Sequence, residues 1–261
     1  MLITLPSFCR YLRVIIHSLI TYIQIHMTRF TANLLSALGL CVALLLVSCR
    51  DNAGENLNIT SEEVADIVEA SLVQVEDQLT ELSVELEDLT LEELCDSVYT
   101  NQLSFSRSNG PRQASLDLAW TFDLVCGGTF QLPQSATVDF NSAGMYSTPR
   151  LDSEDSTQFI GQVAGLQPQS GDYIWGGDYV RSGTEDLTLN GQTAALLTDM
   201  DINLVNVTIP KQSLEVTGGS GTFSIVVDQN GTITTYSGTI TFNGGGSATL
   251  VVNGTTYNIS V

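Results

Sequence analysis

Residues 247–261 read SATLVV-NG-TTYNISV, and this stretch decides the fold class. An Asn-Gly pair between two alternating runs is the signature of a two-residue hairpin turn. With Asn253–Gly254 as the turn, Val252 faces Thr255, Leu250 faces Tyr257 and Ala248 faces Ile259. That face is mostly apolar, and the opposite one carries Thr249, Val251, Thr256, Asn258 and Ser260. A slip of one residue would mix the two sets, so the pattern fixes its own register.

The same grammar continues upstream. In SIVVDQNGTITTYSG (224–238), Asn230–Gly231 is the turn, with Phe223, Ile225 and Val227 on one face. In DYIW-GG-DYVR (172–181), Gly176–Gly177 reads as a third turn, pairing Trp175 with Asp178, Ile174 with Tyr179, and Asp172 with Arg181 as a cross-strand ion pair. Tyr173 and Trp175 would then share a face. The spacing of G-T-[FI] at Gly221, Gly231 and Gly238 is irregular and marks strand starts, not a repeat. From about residue 97 the period is 2 throughout, rich in Thr, Val, Ile and Tyr. The expectation for 97–261 is a mainly β domain, an antiparallel meander sheet, sandwich or open barrel, with around ten to twelve strands of ordinary length.

Residues 61–96 follow a different rule. No Gly or Pro interrupts 61–94, and Val68, Leu72, Val75, Leu79, Leu82, Leu86 and Leu89 alternate in steps of four and three. That predicts one long amphipathic helix of roughly 45 Å. Thr60 or Ser61 can cap it, with Glu62, Glu63 and Asp66 in the electropositive first turn. The segment from Glu62 to Asp96 holds many acids and no base. A parallel homodimer would oppose like charges along its length, so docking on the sheet is the expected arrangement. The alternation Leu82, Val84, Leu86 leaves a strand open for the last turns.

Upstream, residues 27–48 read as a signal peptide: Arg29 in the n-region, an apolar run from Leu34 to Val47, then Leu46-Val47-Ser48-Cys49. The apolar run is short for a membrane span. Residues 1–26 read as an over-extended start, with Met27 the initiator, and residues 49–60 as a polar tether. Residues 46–49 resemble the lipobox of bacterial lipoproteins, and the resemblance implies cleavage before Cys49 and lipid on that residue.

Cleavage there would remove three of the nine basic residues and both histidines, His17 and His26, while all 29 acids remain. A polyanion of this kind is a poor nucleic-acid binder. Without histidine there is no Ser-His-Asp or Cys-His chemistry and no imidazole metal site. Lys211 is the single lysine, and no nucleotide-binding or nucleophile-elbow motif occurs. The expectation is no enzyme, no cofactor and no metal, with only carboxylate-pair glycoside hydrolysis left by the residue inventory; Asp172, Asp178 and Glu185 are the acids to inspect. Cys95 and Cys126 lie 31 positions apart. In an oxidising envelope they are expected to pair, stabilising by roughly 3–4 kcal/mol in the chain-entropy picture.

Few other positions suggest a site. Tyr173, Trp175 and Tyr179 around a tight turn are candidate ligand-binding aromatics, the alternative being core packing. Asp199, Asp201 and Asn203 begin like a calcium loop, but Leu204 replaces the required Gly and Pro210 the closing Glu. On a strand they would share one solvated face. Asp152, Glu154 and Asp155 read as an acidic loop. The N-x-[ST] matches, such as Asn206-Val207-Thr208, would carry little weight in the bacterial setting that a lipobox implies.

Asp96-Ser97-Val98 and Asp155-Ser156-Thr157 are similar to the D-[ST]-x motif that Bacteroidota O-glycosylate in the envelope, which implies Ser97 and Ser156 as acceptors. With the low lysine content and acidic chain, the sequence resembles envelope lipoproteins of that phylum. The resemblance implies residence at the outer membrane through a lipid anchor and no activity. Two roles are consistent with it: a non-enzymatic domain that binds a glycan, lipid or envelope protein or is structural, and a carrier of a hydrophobic ligand in a β-clam plugged by the helix.

Overall fold

The structure, a computed structural model, describes residues 58–91, 95, 97–128 and 132–261. The candidate start, signal peptide and Cys49 lie outside the described residues, as does most of the 49–60 tether. One helix, α1 (Ser61–Leu91), precedes ten strands: β1 (Val98–Asn109), β2 (Arg112–Gly127), β3 (Leu132–Ser147), β4 (Leu151–Ala164), β5 (Asp172–Leu189), β6 (Gln192–Pro210), β7 (Gly218–Gln229), β8 (Thr232–Phe242), β9 (Ser247–Val252) and β10 (Thr255–Ser260). They form a single antiparallel sheet in sequence order, with every strand beside its chain neighbour. The sheet is the expected antiparallel meander, left open with edges at β1 and β10 and not closed into a barrel.

Helix α1 begins with the expected cap. The Glu62 amide donates to the Thr60 hydroxyl (3.2 Å) and the Thr60 amide donates to the Glu63 carboxylate (2.9 Å), a reciprocal capping box. Burial pushes the Glu63 carboxyl up, but the Thr60 hydrogen bonds outweigh it and hold it below its ordinary value. The seam residues Val68, Leu72, Val75, Leu79, Leu82 and Leu86 are all buried. The chain stays helical through Leu91, so the strand left open at Leu82–Leu86 is not formed; the heptad spacing prevails over that short alternation.

Side chains or backbone of α1 and the residues just before it reach β1, β2, β3, β4, β5, β8 and β10. A helix about 10–12 Å across cannot touch strands spaced about 4.8 Å apart over that range unless the sheet curls around it. The strands alternate accordingly, with burial on the helix-facing side and exposure on the other, as in β4. The inner face carries the row Trp120, Phe140, Phe159, Tyr179, Ile202 and Phe223 across β2–β7. Phe140 and Phe159 stack at 5.0 Å, and Trp175 meets Phe159 edge-on at 6.4 Å.

The hairpins at Asn230–Gly231 and Asn253–Gly254 form in the expected register. Asn253 and Gly254 both take positive φ (47° and 87°), as this turn requires. The third expected turn does not form. Gly176 and Gly177 sit inside β5, where pairing with β6 shifts register at a bulge. The physical reason is close approach: Gly177 pairs with Gly161 of β4, and a Cβ at either would come within 2.8 Å of the Phe159 ring. The Asp172–Arg181 ion pair is therefore also absent; Asp172 pairs with Pro210, and Arg181 has other partners. Two-residue turns that the reading passed over lie at Gly110–Pro111 and Asn190–Gly191.

Cys95 and Cys126 form a disulfide, with Cα atoms 5.7 Å apart, joining the chain after α1 to β2.

Candidate functional site

Beneath the middle of α1 the inner face is polar. Within β5, Arg181 and Glu185 lie on the same side of the strand, with Gly183 between them. In the sheet, Asp155 of β4 stands opposite Gly183 on one flank and Thr198 of β6 on the other. Gly183 makes this possible: a Cβ there would come 2.9 Å from the Asp155 Cβ. Three strands thus bring two carboxylates and one guanidinium together, with both acid side chains and the Arg181 side chain fully buried.

The Arg181 Nη2 group lies 2.6 Å from Glu185 Oε1 and 3.0 Å from Asp155 Oδ2, and donates to the Ser153 hydroxyl at 2.5 Å. Nη1 donates to Thr198 (3.3 Å), whose hydroxyl donates to Glu185 (3.1 Å). From the helix, Gln74 donates to Asp155 (3.0 Å). Gln78 donates to Ser142 (2.9 Å), whose hydroxyl is bonded to that of Thr157 (2.5 Å). Desolvation lowers the Arg181 pKa, but Glu185 and Asp155 outweigh it, so the guanidinium stays charged. Burial pushes the Glu185 carboxyl up, opposed by Arg181.

The cluster is not closed by its own bonds. Gln74 Oε1, Gln78 Oε1, Asp155 Oδ1, Glu185 Oε2, Arg181 Nε and Tyr179 Oη are buried without a hydrogen-bond partner in the chain. The Tyr179 hydroxyl faces Thr157 and Gln78. Burial, and then the nearby Asp155, drive it further from ionisation. A buried polar atom left in this state costs about 1–3 kcal/mol.

The sequence-derived candidates are distributed differently. Tyr173, Trp175 and Tyr179 are each at most 1% exposed and belong to the core, so they form no surface platform. The Trp175 indole donates to Ser83 of α1 (3.2 Å). Lys211 stacks on the Tyr173 ring at 4.8 Å. Burial, with Glu87 adding, pushes the Tyr173 phenol up to about 12. The acidic loop at Asp152, Glu154 and Asp155 is strand β4, so Asp152 and Glu154 point outward while Asp155 points to the helix. Asp199, Asp201 and Asn203 do share one exposed face of β6. Asp172, Asp178 and Glu185 are not brought together: Asp178 is exposed and accepts from Asn203 (2.7 Å), whereas Glu185 is buried with Arg181. Ser156 is exposed on the outer face of β4, and the Ser97 hydroxyl donates to the Cys95 carbonyl (3.2 Å). Among the described residues, no group of three or more His, Cys, Asp or Glu has metal-ligand geometry.

The Asp155–Arg181–Glu185 cluster escaped the sequence reading because Asp155 joins it only through the β4–β5 register. Read as one strand, R-S-G-T-E (181–185) puts a base and an acid on one face around a glycine, which is the available signal. Comparison with known proteins found no match to the chain among family models, curated proteins or solved structures.

Proposed function

We propose that this chain is a lipoprotein of the bacterial cell envelope, held at the outer membrane by lipid on Cys49, with a non-enzymatic β domain that binds or supports an envelope partner. The observation that carries the reading is the Leu46-Val47-Ser48-Cys49 motif after an apolar run, followed shortly by the Thr60 capping box where α1 begins. The partner is a glycan, a lipid or an envelope protein, met on the outside of the sheet. Supporting an outside surface over a carrier, the inner face is filled by α1, whose seam packs against the aromatic row. The outer face offers exposed hydroxyls and carboxylates with large apolar side chains among them, such as Ile160, Val180 and Leu197.

Intact-mass analysis of the membrane-extracted protein tests the anchor. The expected species starts at an acylated Cys49, and Cys49→Ala should abolish both acylation and cleavage. A membrane-borne chain that retains residues upstream of Cys49 would contradict it. Glycan-array binding by the extracted protein supports the domain's role, and measurable sugar release would contradict the non-enzymatic part.

A further inference from the structure

We infer that the polar layer between α1 and β4–β6 is a binding site for one alkali-metal cation, coordinated by side-chain oxygens of Asp155, Glu185, Gln74, Gln78 and Tyr179. Two facts about that layer, charge and unmet bonding, point the same way. With both acids ionised, Asp155 and Glu185 bring two negative charges against one positive on Arg181, which leaves the buried cluster one positive charge short of neutral. Each of the five named residues also has a buried oxygen without a partner in the chain.

The five residues belong to one contiguous cluster. Asp155 and Glu185 contact the same Arg181 Nη2 nitrogen, and the Gln74 amide touches Asp155. The Tyr179 hydroxyl lies beside Gln78 and Thr157, under the influence of the Asp155 carboxylate. Four of the six orphans are acceptor-only oxygens and the Tyr179 hydroxyl oxygen also has lone pairs to offer; the sixth, Arg181 Nε, is a donor that a cation leaves unmet. A group that supplies positive charge to several oxygens at once is what such a set lacks.

Three occupants can be compared on that basis. Water would satisfy the oxygens and leave the charge. A proton on Glu185 would neutralise the charge and serve a single acceptor. A divalent ion would overshoot neutrality and prefers more carboxylates than two that already share an arginine. A monovalent cation matches both the charge and the oxygen count, with carbonyl, carboxylate and hydroxyl ligands of the hard type such ions take.

The test uses the detergent-extracted full chain, exhaustively dialysed into choline chloride. Thermal unfolding is then compared in sodium, potassium, calcium and choline chlorides at equal ionic strength. Sodium or potassium should raise Tm over choline by at least about 3 °C, the scale expected when a ligand is held well above its Kd. Elemental analysis should find about one alkali ion per chain. Asp155→Asn removes the net charge and should abolish the ion dependence; should that variant fail to fold, Gln74→Met, which removes a neutral ligand, should weaken the dependence while circular dichroism stays native. Equal Tm in all four salts with no retained ion would overturn the site and leave water or a proton in its place. Stabilisation by calcium alone would overturn the monovalent assignment.

Discussion

Strand β4 shows the two faces of the sheet side by side. Toward the helix it presents Ser153, Asp155, Thr157, Phe159 and Val163, all buried; away from it stand Asp152, Glu154, Ser156, Gln158 and Ile160, all exposed. The contrast extends to charge. Arg107, Arg112, Arg150 and Arg181 all pair with acids of α1 or of the inner face. On the outer face Asp117, Asp139, Asp178, Asp199 and Asp201 have no base beside them among the described residues. A chain with so few bases spends them where acids are desolvated and leaves solvated acids to water. Burial in this fold therefore decides which charges need partners, and the inner face should respond to substitution far more than the outer one.

The largest effect is expected at Arg181. Arg181→Met strands two buried carboxylates and should cost about 3–5 kcal/mol in urea unfolding. Replacing the whole cluster, as Asp155→Leu/Arg181→Met/Glu185→Leu, should recover most of that loss, because no charge is then left unpaired. If the single variant unfolds at the native midpoint, the inner face is wetter than its burial implies.

Next comes packing. Leu79→Ala removes a buried seam residue of α1 and should cost about 2–5 kcal/mol. Ile160→Ala, at a position 54% exposed on the outer face, should stay within about 0.5 kcal/mol. Equal losses at the two sites would erase the contrast.

Acidification should stabilise the domain. Asp66, Glu69, Glu76 and Asp77 on α1 have raised pKa values, burial being the first cause in each, and Arg150, Arg112 and Arg107 only partly offset it. The folded state therefore holds these protons more tightly than the unfolded chain. Their stabilising contribution is full below the ordinary carboxylate pKa of about 4 and is lost as pH rises through the raised folded values. Glu185 has the same sign and Glu63 the opposite one. Tm should thus rise as pH is lowered from 7 toward 5; a steady fall over that range would reverse the assignment.

The smallest effect is expected for the rim pairs. Arg107 contacts Asp77 and, at 2.6 Å, Glu81, but it is 43% exposed, so Arg107→Gln should cost under about 1 kcal/mol and less at high salt.

Much of the sheet was legible because its signals are local. Asn230–Gly231 and Asn253–Gly254 carry both turn and register, and α1 carries its own seam and cap. The Gly176–Gly177 pair has the same local appearance as a turn, yet its glycines answer to Phe159 on the neighbouring strand. No window around Gly176 contains that information. The Asp155–Arg181–Glu185 cluster is hidden for the same reason, since Asp155 reaches Gly183 only through the β4–β5 register. The acids of LDSEDST have the charge density of a solvated loop, but the strand alternation of β4 sends Asp155 inside.

Helix α1 is the core of this domain, enclosed by the sheet and inseparable from it. Native-state hydrogen exchange measures this most directly. Amides of residues 68–83 should be protected to the same free energy as those in the middle of β4, β5 and β6, and all should open together at the global unfolding limit. Exchange of the helix amides well before those strands, with the sheet still protected, would show a detachable plug and contradict the account.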